Sequence, residues 1–126
     1  MIVAKTQTST YRRGLWAEYI AMAWLMFKGY RILAHRYRTR HGEIDIIAKK
    51  RNCLVFIEVK ARQNIMDALE AVNITTQRRI VNAARHYISR HPDIHDKNPT
   101  LRFDVIAQIK YIGIRHVRDA FGAPSF

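Results

Sequence analysis

The chain has 126 residues and a mass of 14.8 kDa, which suits one compact domain and leaves little room for a second. Its 22 Lys and Arg against 10 Asp and Glu give a formal charge of +12, which favours a nucleic-acid partner over an anionic membrane surface or charge that serves solubility alone. The single cysteine, Cys53, excludes an intrachain disulfide and a Cys-rich metal site, and the longest apolar run, 20–27, is far below the roughly 20 residues that span a bilayer, so we expect a soluble, cytoplasmic protein without membrane contact.

The first predicted element is a long helix. Ser9 or Thr10 can cap its start, and Gly29 supplies its end after about Lys28. Its predicted apolar stripe contains four large side chains: Leu15, Met22, Leu25 and Met26. Glu18 falls on the same stripe, so we expect its carboxylate to point toward the core rather than toward water.

Three aromatic residues of this helix allow two interpretations. Trp16, Tyr19 and Trp24 could form a platform on which nucleic-acid bases stack, or they could pack in the core. Aromatic residues at helical spacing usually pack, so we expect all three in the core.

Three strands are predicted next, the first over 30–37 and followed by a basic turn over 36–41. Gly42 opens the second strand. Alternation divides its residues between one face (Ile44, Ile46, Ala48) and the other (Glu43, Asp45, Ile47). After a turn over 50–52, the third strand is divided between one face (Val55, Ile57, Val59) and the other (Leu54, Phe56, Glu58, Lys60). Glu58 and Lys60 are therefore neighbours on one face.

The second half of the chain predicts helices before strands return. A short helical turn over 67–72 precedes a longer helix that Asn73 or Thr75 can cap and that ends near Arg90. Its buried stripe contains Ile80, Ala84, Tyr87 and Ile88, and its basic residues form either a solvated or a phosphate-binding face. We predict a loop over 91–100, a strand over 101–110 and a short last helix over 116–121.

The second and third strands carry the candidate chemistry. If they form a hairpin centred between Arg51 and Asn52, Ala48 opposes Val55, Ile46 opposes Ile57, and Asp45 opposes Glu58. Directly opposed side chains in an antiparallel pair lie about 4.5–5.5 Å apart at Cβ, so two carboxylates at this position should repel. A shared proton, a cation such as Lys60, or a divalent metal would relieve the repulsion.

A metal site explains this acidic pair best. Carboxylate oxygens without Cys or His favour Mg²⁺ or Mn²⁺, which can polarise a phosphodiester and activate a water. Lys60 can neutralise charge in the transition state, and Glu18 could complete the metal shell or orient a water. The alternative is a buried ion pair with a spare acid, which is costly to bury without function. Glu43 is expected to be solvated or to support the ligands.

Several motifs resemble a known family. They are G-(x)3-E at Gly14 to Glu18, GEIDIIA, VFIEVKAR, an Ala-Val segment before a basic helix, RFDVI, and H-(x)3-AF near the end. From Gly14 to Phe121 the chain resembles the YraN-like bacterial proteins, which are similar to archaeal Holliday junction resolvases within the PD-(D/E)xK nuclease superfamily. The resemblance implies an α/β, restriction-endonuclease-like fold with a mixed central sheet flanked by helices. It also implies one nuclease-like domain over 1–126, in which residues 1–8 could be flexible.

The resemblance also assigns roles to residues. The catalytic set becomes Asp45, Glu58, Lys60 and Glu18, with Asp45, Glu58 and Glu18 as ligands of Mg²⁺ or Mn²⁺. The basic segments of the chain themselves, rather than the resemblance, predict that nucleic acid, expected to be DNA, contacts seven residues: Arg38, Arg40, Arg62, Gln77, Arg78, Arg79 and Arg85. The implied activity is a metal-dependent endonuclease on branched or junction DNA, and a homodimer follows by analogy. The alternatives are a nucleic-acid-binding module that is catalytically weak or inactive, and an adaptor without a nucleic-acid partner.

Overall fold

A computed structural model describes the backbone of residues 2–110 and 112–123, and the side chains of these residues other than 2–11 and 13. The elements in chain order are α1 (Ile2–Phe27), β1 (Arg31–Arg38), β2 (Glu43–Lys50), β3 (Cys53–Arg62), α2 (Ile65–Ala71), α3 (Ile74–Ser89), α4 (Pro92–Asp96), β4 (Thr100–Ile109) and β5 (Gly113–Phe121). In the described part of the chain, no helix is long and apolar enough to cross a membrane.

The five strands form one mixed sheet in the order β1-β2-β3-β4-β5. β3 and β4 are parallel and the other neighbouring pairs are antiparallel. The three helices α2 to α4 make the crossover between the parallel strands, as a parallel connection requires. One hydrophobic cluster packs α1 on one face of the sheet, and a second packs α3 on the other. The predicted α/β fold, a mixed sheet flanked by helices, is confirmed.

Helix α1 ends where the sequence predicts and begins earlier. Gly29 has a φ of +92°, and the N–H of Tyr30 donates to the carbonyl of Leu25, which closes the helix at a glycine. The predicted cap at Ser9 or Thr10 is wrong because α1 runs through both residues from Ile2. A capping residue is a weak boundary signal when the residues before it also adopt helical backbone angles.

The buried face of α1 is narrower than predicted. Glu18 is only 7% exposed, which confirms that it faces inward, and small residues beside it let the helix approach the sheet. The residues of α1 that lie in the core are Ala17, Ala21 and Leu25. Met22 is half-buried, but Met26 is exposed, so its assignment to the buried stripe is wrong.

The expectation that all three aromatic residues of α1 pack in the core is also wrong. Trp16 is 64% exposed and Tyr19 is 50% exposed, whereas Trp24 is half-buried against the core. Because Ala17 and Ala21 fill the contact between the helix and the sheet, the rings of Trp16 and Tyr19 remain at the surface.

Strand β2 departs from strict alternation. Ile46 and Ala48 pack toward α1 as predicted, but Ile44 packs with Ile47 in the cluster toward α3. The break lies at Asp45, which the register places opposite Arg36, a residue with φ of +56°. A residue with left-handed backbone angles disturbs the pleat of the sheet locally, so the side chains of β2 do not alternate between the two faces at this point. Arg36 to Arg38 also belong to β1, so the predicted basic turn starts later, at Thr39.

The helices of the crossover are capped by asparagines. The Asn64 side chain accepts a hydrogen bond from the Asp67 N–H at the start of α2, and Asn73 accepts from the Thr76 N–H at the start of α3. Asn73 is thus the cap that the sequence predicts. The predicted stripe of α3 is buried, with Ile88 only partly so. The predicted loop over 91–100 contains α4, because proline fits the first turn of a helix.

The last element is a strand, so the helix predicted over 116–121 is wrong. β5 pairs antiparallel with β4, and Val117 lies opposite Val105. Asp119 has a φ of +54°, and the register shifts there. Because of this irregularity, apolar and polar residues do not alternate regularly along β5, so the sequence does not indicate a strand. The segment forms a strand because it pairs with the free edge of β4.

A fully buried carboxylate joins the last two strands to the end of α1. Arg102 makes two hydrogen bonds to Asp104, Nε to Oδ1 at 2.9 Å and Nη2 to Oδ2 at 2.8 Å. His116 Nε2 lies 2.8 Å from Oδ2, and the backbone N–H of Asp119 donates to Oδ1. Arg102 also donates to the Tyr30 hydroxyl at 2.7 Å. This Asp104 network absorbs the RFDVI and H-(x)3-AF motifs into the core of the fold.

Gly42 permits the contact between the entrance of β2 and α3. A Cβ at this position would lie 1.9 Å from the backbone oxygen of Arg79, so Gly42→Ala should push α3 away and destabilise the protein by about 1–3 kcal/mol. Gly14→Ala is the matched control, because a Cβ there meets nothing within 4 Å, and alanine in a helix should stabilise by about 0.5–1 kcal/mol. Urea unfolding of both variants checks the opposite signs; a neutral Gly42→Ala would contradict the contact.

Candidate active site

The hairpin of β2 and β3 has the predicted register. Ala48 pairs with Val55 and Ile46 pairs with Ile57, with the turn at 51–52. The ladder ends at this second pair, although both strands continue. Asp45 and Glu58 are the next residues in register, and the Asp45 side chain is close enough to raise the pKa of Glu58.

Asp45 lies where the two strands stop pairing. Its Oδ2 accepts a hydrogen bond from the backbone N–H of Val59 at 2.8 Å, in place of a carbonyl of β2. A buried N–H needs an acceptor, so this bond fixes the carboxylate at the end of the ladder. Asp45 is therefore held in position by the backbone of the strand that carries Glu58.

The pKa of Glu58 lies above neutral pH. Burial, the interaction with the Asp45 side chain and the negative charges of Asp45 and Glu43 together raise this pKa to about 9, against the positive charge of Lys60. Two carboxyl groups this close to each other favour binding of a proton or a cation. A divalent cation could therefore replace the proton on Glu58.

Lys60 lies beside the pair, two residues after Glu58 on the same strand. Its positive charge acts on Glu58, and its side chain is half-buried. The structure thus brings three of the four predicted catalytic residues together.

Glu18, the fourth, approaches from α1 with partners of its own. Its Oε1 lies 2.7 Å from His35 Nε2 and accepts from Arg36 Nε at 2.9 Å, while Oε2 accepts from Arg36 Nη2 at 3.2 Å. The left-handed backbone of Arg36 is a strained conformation for a residue with a side chain, and such strain concentrates at functional sites. His35 and Arg36 were missed at the sequence level. A buried glutamate followed by a strand with interleaved basic residues was the available signal, because a buried charge needs a partner.

An open cavity of about 140 Å³ connects Glu18 with Asp45. Its lining residues are Glu18, Arg36, Arg38, Glu43, Ile44 and Asp45. Arg38 Nε lies 3.6 Å from Glu43 Oε2, and both side chains are exposed. The cavity therefore combines acids that can hold a cation with guanidinium groups that can hold phosphate oxygens.

The donor set fits a hard divalent cation held by two acids. Asp45 and Glu58 offer carboxylate oxygens from neighbouring strands, the ligands that Mg²⁺ and Mn²⁺ prefer, and a cation could replace the proton that the raised pKa of Glu58 implies. Within the ranges 2–110 and 112–123, no three His, Cys, Asp or Glu side chains are grouped as metal ligands. Glu18 is turned to His35 and Arg36, so its predicted role as a third ligand would require it to leave them.

The seven predicted nucleic-acid contacts fall into two groups, one near this cavity and one on α3. Arg38 lines it, and Arg40 and Arg62 are exposed on neighbouring segments. The others lie on α3, where a second cavity of about 370 Å³ is lined by Gln77, Arg78 and Arg85 among other residues. Gln77 Nε2 also donates to the Val72 carbonyl, which ties it to the end of α2. Arg79 is exposed, and its backbone contacts Gly42 at the entrance of β2.

The raised pKa of Glu58 predicts a pH dependence of stability. Folding raises this pKa from 4.5 to about 9, so unfolding releases a proton at any pH between these values. Metal-free protein should therefore lose stability as the pH rises through that window. Each unit of difference is worth about 1.4 kcal/mol, so the loss is on the order of a few kcal/mol after screening by Lys60 and solvent. Glu58→Gln should remove most of this loss, measured by urea unfolding in EDTA at pH 5 and pH 8. An equal loss in the variant would show that Glu58 does not hold the proton.

Comparisons with known proteins agree with the resemblance drawn from the motifs. A model of "Uncharacterised protein family UPF0102" matches residues 17–108. The chain is 46% identical over 116 residues to a UPF0102 protein of Mesorhizobium japonicum, covering 92% of this chain and 91% of the relative. It is 45% identical over 122 residues to a UPF0102 protein of Bradyrhizobium diazoefficiens, covering 97% and 90%. A UPF0102 protein of Rhodopseudomonas palustris is 48% identical over 120 residues, covering 95% and 91%.

Proposed function

The chain belongs to the UPF0102 family, the YraN-like proteins, and from the geometry of its site we propose that it is a metal-dependent endonuclease that hydrolyses phosphodiester bonds of DNA. Branched or junction DNA is the proposed substrate, and a reducing cytoplasm is the proposed location. A homodimer remains part of the proposal by analogy with two-fold junction nucleases.

One observation carries the proposal: where the β-hairpin ladder ends, the register places two carboxyl groups next to each other, on strands that also carry Lys60. The Asp45 side chain and the charge of Lys60 both act on Glu58, and Asp45 lines a cavity with two arginines. Placing like charges together in this way destabilises the fold, and such an arrangement is typical of sites where the charges act on a ligand. A purely structural ion pair would not need the second acid.

Asp45 and Glu58 would hold Mg²⁺ or Mn²⁺, which when bound supplies polarisation of the phosphodiester and a lower pKa for an attacking water. Lys60 provides a fixed positive charge for the oxygens that become more negative in the transition state. Glu18, fixed by two hydrogen bonds from Arg36, can accept a proton or a hydrogen bond from a water in the cavity. Arg38 at the rim of the cavity can hold the adjacent phosphate.

The basic surface supports the binding part of the proposal. The formal charge of +12 attracts a polyanion, and the backbone of the exposed Arg79 contacts Gly42, three residues before Asp45. α3 would therefore contact the backbone of the duplex while the hairpin contacts the scissile phosphate.

A nucleic-acid-binding module with weak or no catalysis is the second candidate. The specific observation in its favour is that Glu18 is engaged by His35 and Arg36, which leaves two acids in mutual contact as candidate metal ligands among the described residues. Binding would then survive while cleavage is slow.

A substrate panel tests the proposed function. End-labelled linear, flapped and four-way DNA is incubated with wild type and with Asp45→Ala, in Mg²⁺, in Mn²⁺ and in EDTA. We expect cleavage by wild type in either metal, none in EDTA, and none by Asp45→Ala, while both proteins bind DNA with the same steep dependence on salt. Binding by both proteins without cleavage would favour the binding module. A lack of salt-dependent binding would leave the adaptor interpretation.

A further inference from the structure

The exposed aromatic pair on α1 is the feature that the proposed active site does not use. Trp16 and Tyr19 are three residues apart, so their side chains lie on the same face of the helix. Half or more of each side chain is exposed, with 64% for Trp16 and 50% for Tyr19. Large aromatic groups at a surface indicate a binding site more often than isolated aliphatic ones do.

A chain of contacts connects this pair to the catalytic cavity. The Tyr19 ring lies 5.6 Å from the His35 ring, centroid to centroid, at an angle of 55°. His35 in turn contacts the carboxylate of Glu18 at 2.7 Å, and Glu18 lines the cavity together with Asp45. Tyr19 is therefore connected through His35 and Glu18 to the site where the scissile phosphate is proposed to lie, and Trp16 is its neighbour on the same helix face.

Charge complementarity supports nucleic acid as the occupant. The chain carries a formal charge of +12, which attracts a polyanion. A nucleic acid has the opposite charge, and its bases present flat apolar faces that stack on aromatic rings. Arg12, exposed one turn before Trp16, and Arg38 at the cavity can contact the phosphates on either side of a stacked base.

We propose that Trp16 and Tyr19 form a stacking platform for an unpaired base next to the scissile phosphate. The preferred substrate is then nucleic acid with unpaired nucleotides, such as a single-stranded segment or the single-stranded side of a branch, and fully paired duplex is handled less well. The inference rests on the proposed function for the position of the phosphate, but the stacking itself needs no cleavage.

Binding measurements in EDTA test the platform without any chemistry. Fluorescence anisotropy compares a single strand of about 12 nucleotides with a duplex of the same sequence, since single-strand sites span about 4–16 nucleotides. Trp16→Ala should weaken single-strand binding by about 5- to 150-fold, the range expected for the loss of one base–aromatic stack. Duplex affinity should change by less than about twofold, because the bases of a duplex are already stacked. Trp16→Phe should restore most of the single-strand affinity, since it keeps an aromatic face.

Phe27→Ala is the matched control. Phe27 is 83% exposed on the same helix but lies about 13 Å along the helix axis from Glu18, at 1.5 Å per residue. Phe27→Ala should leave the affinities for the single strand and for the duplex unchanged. If Phe27→Ala and Trp16→Ala weaken single-strand binding equally, or if wild type sediments as a dimer that both variants dissociate, the helix face is a subunit interface and the platform is wrong.

A spectroscopic readout separates stacking from a general loss of binding. In a Trp24→Phe background, Trp16 is the remaining tryptophan, and its fluorescence should be quenched on addition of the single strand and unaffected by the duplex. Equal quenching by both would overturn the platform. The two proposals also fail separately: cleavage that is insensitive to Trp16→Ala removes the platform alone, and single-strand quenching without any cleavage removes the nuclease alone.

Discussion

Replacing Lys60 with methionine is expected to slow phosphodiester cleavage by about 100- to 1,000-fold at saturating metal, the range for losing one preorganised positive group at a developing charge. Methionine keeps an unbranched apolar stem of nearly the same length and lacks the ammonium group. DNA affinity at moderate salt should fall only slightly, because one charge among 22 basic residues is lost.

The same variant should change metal binding, and a titration separates the two effects. The charge of Lys60 lowers the pKa of Glu58, so removing that charge makes the proton on Glu58 harder to displace. The metal concentration needed for half-maximal rate should therefore rise. Excess Mg²⁺ or Mn²⁺ should correct that second effect and leave the loss of rate. A full recovery of rate at high metal concentration would mean that Lys60 only assists metal binding.

Lys97→Met is the control for the change in net charge. The Lys97 side chain is exposed after α4, and the Lys97 carbonyl accepts a hydrogen bond from Asn52 in the turn of the hairpin, at the opposite end from Asp45 and Glu58. It should leave the rate at saturating metal and the metal titration unchanged. Equal effects of the two variants would show that Lys60 contributes only to the overall field of the protein.

The hairpin of β2 and β3 could be predicted from the sequence because its determinants are local. A short turn and continuous apolar runs on either side fix the pairing of Ile46 with Ile57, and one residue of slip would reverse the faces. From that register the contact of Asp45 with Glu58 follows directly. The end of the ladder at this position does not follow, since it depends on the Asp45 side chain replacing a backbone acceptor.

The partners of Glu18 could not be predicted because they depend on a backbone irregularity. Regular alternation places the side chains of His35 and Arg36 on opposite faces of β1. The left-handed conformation of Arg36 brings both to the same carboxylate. The break in β2 at Asp45 has the same origin, which is why Ile44 was assigned to the wrong face.

The exposure of Trp16 and Tyr19 on α1 also could not be predicted from the sequence. Periodicity shows which residues share a helix face but not which of two apolar faces meets the sheet. Close packing of Ala17 and Ala21 on the sheet decides this, because small residues let the helix lie nearer to the strands. Trp16 and Tyr19 are then left outside, where a role in binding becomes testable.

Asp104→Ala should lower the free energy of unfolding by about 3–5 kcal/mol, the cost of removing one partner from a buried ion pair. Asp104 is fully buried, and its loss leaves Arg102 and His116 without their shared acceptor. The surface pair of His95 and Asp96 provides the control: its atoms are 3.7 Å apart and exposed, so Asp96→Ala should cost less than about 1 kcal/mol. Urea unfolding at pH 7 measures both variants.

The pH dependence identifies the Asp104 charge as the cause. Burial alone would raise the pKa of Asp104, but hydrogen bonds from His116, Arg102 and the Asp119 N–H outweigh it and lower the pKa. The stabilisation is therefore present above the usual aspartate pKa of about 3.9 and is lost as the pH falls through the lower folded value, so the gap between wild type and variant should narrow in acid. A gap between wild type and variant that is independent of pH would point to lost packing instead. If the alanine variant does not fold, Asp104→Asn replaces it, because the asparagine variant should lose less stability.

A double variant, Arg102→Met with Asp104→Leu, should recover part of the stability, since it removes both charges from the core.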